Sequence, residues 1–269
     1  MPVPLEFTPP DRTGSLVKVL FLVLRVAALA TTVLALVSRA DCVFASGGCR
    51  ASNLLSYFTI ESNLAFVALL VLLIARGPRR LEREWLTVLR ALVTAYLVVS
   101  GLTFIALIAN AGLADYVFLV PTSEKVLHFV VPSYAILDFV FAPGRRRLHW
   151  NTVWVSLVFP LLYAVYTLLR GPAVGWYPYI FLDPAWAGSY SAVGVYAAVL
   201  AALILGVSAA LIAASRLPRW GWTPRDPRRR AVPASAVQDR AVRNSAVQDG
   251  ALRERTGWAP SGSNRRPTD

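Results

Sequence analysis

Six long apolar runs, set apart by loops that alternate between arginine-rich and arginine-poor, constrain this chain more than any other feature. They cover roughly residues 16–38, 52–75, 85–109, 121–142, 150–170 and 190–214. Each is about long enough to cross a ~30 Å hydrocarbon layer at about 1.5 Å per residue. Lipid offers no partner to backbone polar groups, so only helices and closed barrels span it. The runs are continuously apolar and do not alternate with period two, which makes them helices. The expected fold is all-α: a six-helix transmembrane bundle over 16–215, after a short polar lead at 1–15 and before a disordered arginine-rich tail at 216–269.

The loops predict the orientation. Arg12 and Lys18 come before or early in the first run. Arg76, Arg79, Arg80 and Arg83 fill the second connection, and Arg145, Arg146 and Arg147 the fourth. Arg216, Arg219, Arg225 and Arg228 to Arg230 follow the last run, while the first, third and fifth connections are poor in positive charge. The positive-inside rule then puts both termini in the cytoplasm of a multi-pass plasma-membrane protein. The formal charge of +12 is therefore no sign of nucleic acid, because the tail alone holds twelve Arg against five acids. A basic segment after a final membrane helix reflects topology and anionic lipid headgroups, so membrane lipids are the expected partners. The tail also carries a near-repeat, Ser235-Ala-Val-Gln-Asp and Ser245-Ala-Val-Gln-Asp, with no sustained apolar face.

Cys42 and Cys49 are the only cysteines and share the first outward loop. Either a disulfide closes that loop on the oxidising side or two free thiols remain. Two cysteines with the distant His128 and His149 lack metal-ligand spacing, so no metal site is expected. No cofactor is expected either.

Ionisable residues inside spans are costly and are functional candidates by default. Arg25, Glu61, His128 and Asp138 stand out, with Thr59, Ser62 and Asn63 beside Glu61. Arg25 lies roughly 14 Å from one boundary and Glu61 roughly 12 Å from the other, so the two depths nearly meet. An Arg25–Glu61 ion pair is the expectation, since a neutralised pair is how lipid tolerates such charges. Asp138 sits about one turn from Arg145 to Arg147 and is expected to pair there.

Thr59, Ser62 and Asn63 share a helical stripe about 100° wide, with Glu61 on another face. His128 and Thr59 each lie about two turns into runs that enter from outside, hence at similar depth. Glu124 precedes His128 by four residues and shares its face, so it can orient one imidazole nitrogen and leave the other as base. Pro132, four residues beyond His128, is placed to distort that helix. A threonine becomes a nucleophile when a base takes its proton, and a histidine can return that proton to a leaving alcohol. Ser62 or Asn63 would then be the oxyanion donors. The other reading is structural: Thr59 bonds to its own helix backbone, and His128 ties two helices together.

Three segments carry a family resemblance. They are Ser56-Tyr-Phe-Thr-Ile-Glu-Ser-Asn63, His128-Phe-Val-Val-Pro132 with Leu137-Asp138, and Arg170-Gly-Pro-Ala-Val-Gly-Trp-Tyr-Pro-Tyr-Ile-Phe-Leu-Asp-Pro184. Together they resemble the bacterial Pr-six-Pr integral membrane family across about residues 16–214. That family is distantly similar to the eukaryotic androgen-induced membrane hydrolases, which cleave fatty-acid esters of hydroxy fatty acids with a threonine and a histidine. The resemblance implies a nucleophile at Thr59, a base at His128 and a lipid-ester substrate. The bacterial motif departs from the eukaryotic one after Thr59, where it continues Glu-Ser-Asn. The alternative function is a non-catalytic membrane protein: a small-molecule or lipid transporter, or an interaction scaffold.

Overall fold

A computed structural model describes residues 12–217 apart from 46, 78–81 and 114–119, together with the single position 238; for 12–15 and 110–113 it describes the backbone alone. The chain divides into two units at Trp222–Thr223, and the long apolar helices all belong to the first. The polar lead up to residue 11, and the tail from 218 with its expected disorder, lie outside the described residues, position 238 excepted.

Among the described residues there is no strand, and five helices are long and apolar enough to cross a membrane. They lie within α1 (Arg12–Phe44), α3 (Phe58–Arg76), α4 (Glu84–Leu113), α8 (Val158–Val174, preceded by the one-turn α7, Thr152–Val155) and α10 (Tyr190–Ala214). The expected fourth run takes a broken form: α5 (Thr122–Lys125), a π-helical segment Val126–Val130 and α6 (Val131–Phe141) follow one another without a gap. A one-turn helix, α2 (Ala51–Leu54), precedes α3, and the connection between α8 and α10 holds a 3₁₀ turn at Ile180–Leu182 and a one-turn α9 (Pro184–Ala187).

The breaks have local causes. Pro132 has no N–H to give the carbonyl of His128, the residue four positions back. The helix widens there instead, and the Val131 N–H bonds to the Val126 carbonyl five residues earlier. The freed His128 carbonyl faces Gly101 so closely that a Cβ on Gly101 would lie 2.4 Å from its oxygen. Only a glycine lets α4 approach that turn. Pro160 likewise leaves the Ser156 carbonyl without its helical donor, and the Tyr96 hydroxyl of α4 donates to it at 3.1 Å. The run expected at 52–75 is interrupted at Leu55–Tyr57, and Tyr57 is extended (φ −76°, ψ 127°) ahead of α3.

Helix α4 is central: it packs on α3, α6 and α10, while α1 packs on α3, α5 and α6. One core joins Phe66, Leu69, Leu70 and Leu73 of α3 to Leu86, Val93 and Leu97 of α4 and to Val131 and Ala135 of α6. A second joins Ala91, Ala95 and Phe139 to Leu211 and Ile212 of α10. Outward faces stay apolar, as at Leu20, Val23 and Leu34 on α1 and Leu161, Leu162 and Leu169 on α8. Lipid would cover such faces where water could not. Helix α8 is tied to the bundle largely by side chains. The Tyr163 hydroxyl donates to the Ser56 carbonyl at 2.8 Å, and Phe58 packs edge-on to Tyr163 at 5.2 Å between ring centroids.

The intramembrane charges pair differently from the sequence expectation. Arg25 Nε donates to Asp138 Oδ1 at 2.8 Å, not to Glu61. Arg90 of α4 donates to Asp138 Oδ2 and to the Asp138 backbone carbonyl, each at 2.7 Å, and its other terminal nitrogen pairs with Glu82. Two cations and two anions therefore neutralise one another in a buried cluster joining α1, α4 and α6. Asp138 does not take the expected arginines. Arg145 donates to the carbonyls of Phe139 and Val140, and Arg146 to the carbonyl of Glu82. Glu61 is half-buried and has no salt bridge among the described residues. Depth along each helix was readable from the sequence, but the rotation of one helix against another was not. Cys42 and Cys49 are joined in a disulfide that closes the loop after α1, with 5.4 Å between Cα atoms.

Candidate functional site

Thr59 is only the second residue of α3, because Tyr57 is extended and the helix begins at Phe58. An N–H in the first turn has no helical carbonyl to bond to. The Thr59 N–H points instead at the Tyr179 hydroxyl, 3.4 Å away. The Thr59 carbonyl, by contrast, is crowded with side-chain donors: Ser62 Oγ at 3.1 Å and Asn63 Nδ2 at 2.8 Å. Both candidate oxyanion donors are thus engaged in locking the first turn of the helix, and neither lines the cavity beside Thr59.

The Thr59 hydroxyl reaches across the bundle. Its Oγ1 lies 3.1 Å from His128 Nε2, 2.8 Å from Ser100 Oγ on α4, and 3.4 Å from the Tyr179 hydroxyl. His128 sits on the π-helical segment, 7% exposed, with Phe104 stacked on its ring at 3.9 Å between centroids. Its Nδ1 has two acceptors, the Glu124 backbone carbonyl at 3.0 Å and the Glu124 carboxylate at 3.1 Å. Two acceptors on one nitrogen assign the proton to Nδ1 and leave the Nε2 lone pair facing the threonine hydroxyl. The second Glu124 oxygen bonds Arg39 Nε of α1 at 2.8 Å. Arg39 therefore holds the carboxylate, the carboxylate holds the imidazole, and the imidazole meets the hydroxyl. This is the ordering of a nucleophile, base and orienting acid.

The aromatic fifth connection roofs the site. Tyr179 stacks on Phe181 at 5.2 Å and meets Tyr57 edge-on at 5.8 Å, and Trp176 packs edge-on to Tyr57 at 5.6 Å. Tyr177 presses on α8 so closely that a Cβ on Gly171 would lie 2.1 Å from its ring. Burial of the Tyr179 phenol pushes its pKa up to about 12, so it stays a donor at neutral pH. A cavity of about 120 Å³ opens beside Thr59. Its polar side chains are Thr59, Ser100, Thr103, His128, Tyr163 and Tyr179; the remaining lining is apolar and comes mainly from α4, α8 and α10. No group of His, Cys, Asp and Glu fit to hold a metal ion occurs among the described residues.

The structure thus brings together Thr59, His128 and Glu124 from the sequence candidates and leaves Ser62 and Asn63 beneath them. Arg25 and Glu61 lie apart, with Arg25 in the buried charge cluster. Sequence reasoning passed over Ser100, Phe104 and Arg39. Ser100 beside Gly101 in an apolar run was a readable signal for a helix contact. Tyr179 stood in an aromatic fifth connection that the sequence allows to be an interfacial belt or a cap over a cavity, but nothing in the pattern said that its hydroxyl reaches Thr59. No family model, curated protein or solved structure matches the chain.

Proposed function

We propose that this chain is a six-span protein of the plasma membrane, both termini cytoplasmic, that hydrolyses lipid (fatty-acid) esters with Thr59 as nucleophile. Five long apolar helices support the membrane reading, and the consecutive helical segments over 122–141 support a sixth span. The arginine-rich loops support the orientation, with the site in the outer leaflet. The observation that carries the chemistry is the 3.1 Å approach of Thr59 Oγ1 to His128 Nε2, with Nδ1 held by Glu124, beside an apolar cavity. Kinship with the Pr-six-Pr family, through the three motifs, belongs to the same proposal.

The steps follow from the geometry. His128 Nε2 takes the Thr59 hydroxyl proton as Oγ1 bonds to the ester carbonyl carbon, and the carbonyl π pair moves onto oxygen. Glu124 stabilises the imidazolium through Nδ1–H. The tetrahedral intermediate collapses with loss of the alcohol, which takes the proton from Nε2. Water then gives a proton to His128 and attacks the acyl-threonine, releasing the carboxylic acid and the free hydroxyl. A carboxylate, imidazole and hydroxyl in hydrogen-bonded order, the last two lining the cavity, favour catalysis over transport or a scaffold role.

The test is fluorophosphonate labelling of membranes holding wild type, Thr59→Ala or His128→Ala at equal expression. Labelling of wild type that disappears in both variants is the expected result. An unlabelled, folded wild type would overturn the reading and return the polar group to a structural role.

A further inference from the structure

Hydrolysis of an ester through a tetrahedral intermediate needs donors aimed at the oxygen that becomes negative. The polar side chains one turn along α3, Ser62 and Asn63, both donate to the Thr59 carbonyl, and neither lines the cavity. On the hydrolase reading, we infer that the oxyanion hole is the Tyr179 O–H together with the Thr59 backbone N–H.

Three independent features converge on this pair. Break of the helix at Tyr57 leaves the Thr59 N–H without an upstream helical carbonyl, at the positive end of the nineteen-residue α3. The Tyr179 hydroxyl lies 3.4 Å from that nitrogen and 3.4 Å from Oγ1, the attacking atom. The carbonyl oxygen of a bound ester is attached to the same carbon that Oγ1 attacks. It therefore stays close to Oγ1 when that bond forms, within reach of both donors. In the free protein the amide and the phenol meet only at this long distance, so an entering oxygen replaces a weak contact with two strong ones. The roof fixes the phenol: Phe181 stacks on one side and Tyr57 closes edge-on. No electrons or protons leave the pair, because the phenol and the amide donate hydrogen bonds throughout and the proton shuttles between Thr59 and His128.

Tyr179 is accordingly a catalytic residue, and its effect belongs to the transition state. Full-length protein in detergent micelles, acting on the p-nitrophenyl ester of a medium-chain fatty acid, gives the test. Tyr179→Phe keeps the packed ring and removes one donor. The expected result is a kcat lower by about 100-fold to 1,000-fold with KM changed less than about threefold. An aliphatic trifluoromethyl ketone, whose adduct carries the oxyanion, should lose affinity by a similar factor. Wild-type kcat in Tyr179→Phe, with Thr59→Ala inactive, overturns the oxyanion assignment and leaves the hydrolase reading standing. A wild type without Thr59-dependent turnover overturns both. Should Tyr179→Phe fail to fold, fluorotyrosine at position 179 replaces it: kcat must then change with the acidity of the phenol, and an unchanged kcat overturns the inference.

Discussion

Glu124 holds His128 from two directions: its carboxylate lies 3.1 Å from Nδ1 and its own backbone carbonyl 3.0 Å from the same nitrogen. This double contact decides the tautomer and so decides that Nε2, 3.1 Å from Thr59 Oγ1, is the basic nitrogen. Replacing the carboxylate alone keeps the carbonyl bond. Glu124→Gln should therefore leave the ring in place but remove the charge that steadies the imidazolium. On the proposed hydrolase mechanism, kcat for ester hydrolysis falls by about 100-fold or more with little change in KM. Steady-state kinetics of the purified variant beside Thr59→Ala is the check, and a wild-type kcat would remove Glu124 from the mechanism.

Gly101 is tied to the site through the His128 carbonyl. A Cβ there would lie 2.4 Å from that oxygen, so the π-helical segment or α4 must shift. Gly101→Ala should move the imidazole away from Thr59 and lower kcat by about 100-fold while the protein remains helical. Circular dichroism and turnover on the same sample separate this outcome from unfolding.

Ser100 Oγ, 2.8 Å from Thr59 Oγ1, competes with His128 for the threonine proton unless it donates its own. With His128 accepting, Ser100 donates to Oγ1 and keeps the hydroxyl aimed at the base. Ser100→Ala should leave the protein folded, lower kcat by roughly tenfold, and slow fluorophosphonate labelling in proportion. Faster labelling in the variant would reverse the assigned direction of that bond.

Asp138 serves two cations, Arg25 and Arg90. Removing it leaves both buried without that partner. Asp138→Asn should destabilise the bundle by about 3–5 kcal/mol, read as a lower thermal midpoint in detergent. If Arg25 relied on Glu61, as depth alone implied, Glu61→Gln would have the larger effect. The structure predicts the reverse order.

Tyr179 sets an alkaline signature. Its folded pKa of about 12 lies above the ordinary 10, because burial disfavours the phenolate. Between those values the unfolded chain has lost the proton that the folded one keeps, so stability is full below pH 10 and falls as pH rises toward 12. Thermal midpoints taken from pH 8 to 11.5 should decline from about pH 10 upward, and less steeply in Tyr179→Phe.

Long apolar runs determined the helical class by themselves, since continuous lipid-length apolar stretches that do not alternate with period two have no other stable form. Helical spacing brought Glu124 and His128 to one face, and depth brought Thr59 level with His128. Those are properties of single helices, which the order of residues contains. The pairing of Arg25 with Asp138 rather than Glu61, the withdrawal of Ser62 and Asn63 to the Thr59 carbonyl, and the arrival of Ser100, Arg39 and Tyr179 were decided only in three dimensions. Each depends on how one helix is rotated against its neighbour or on where a loop folds back. Those choices are made by packing summed over the bundle, at contacts such as Gly101 on His128, and no local stretch of sequence carries them.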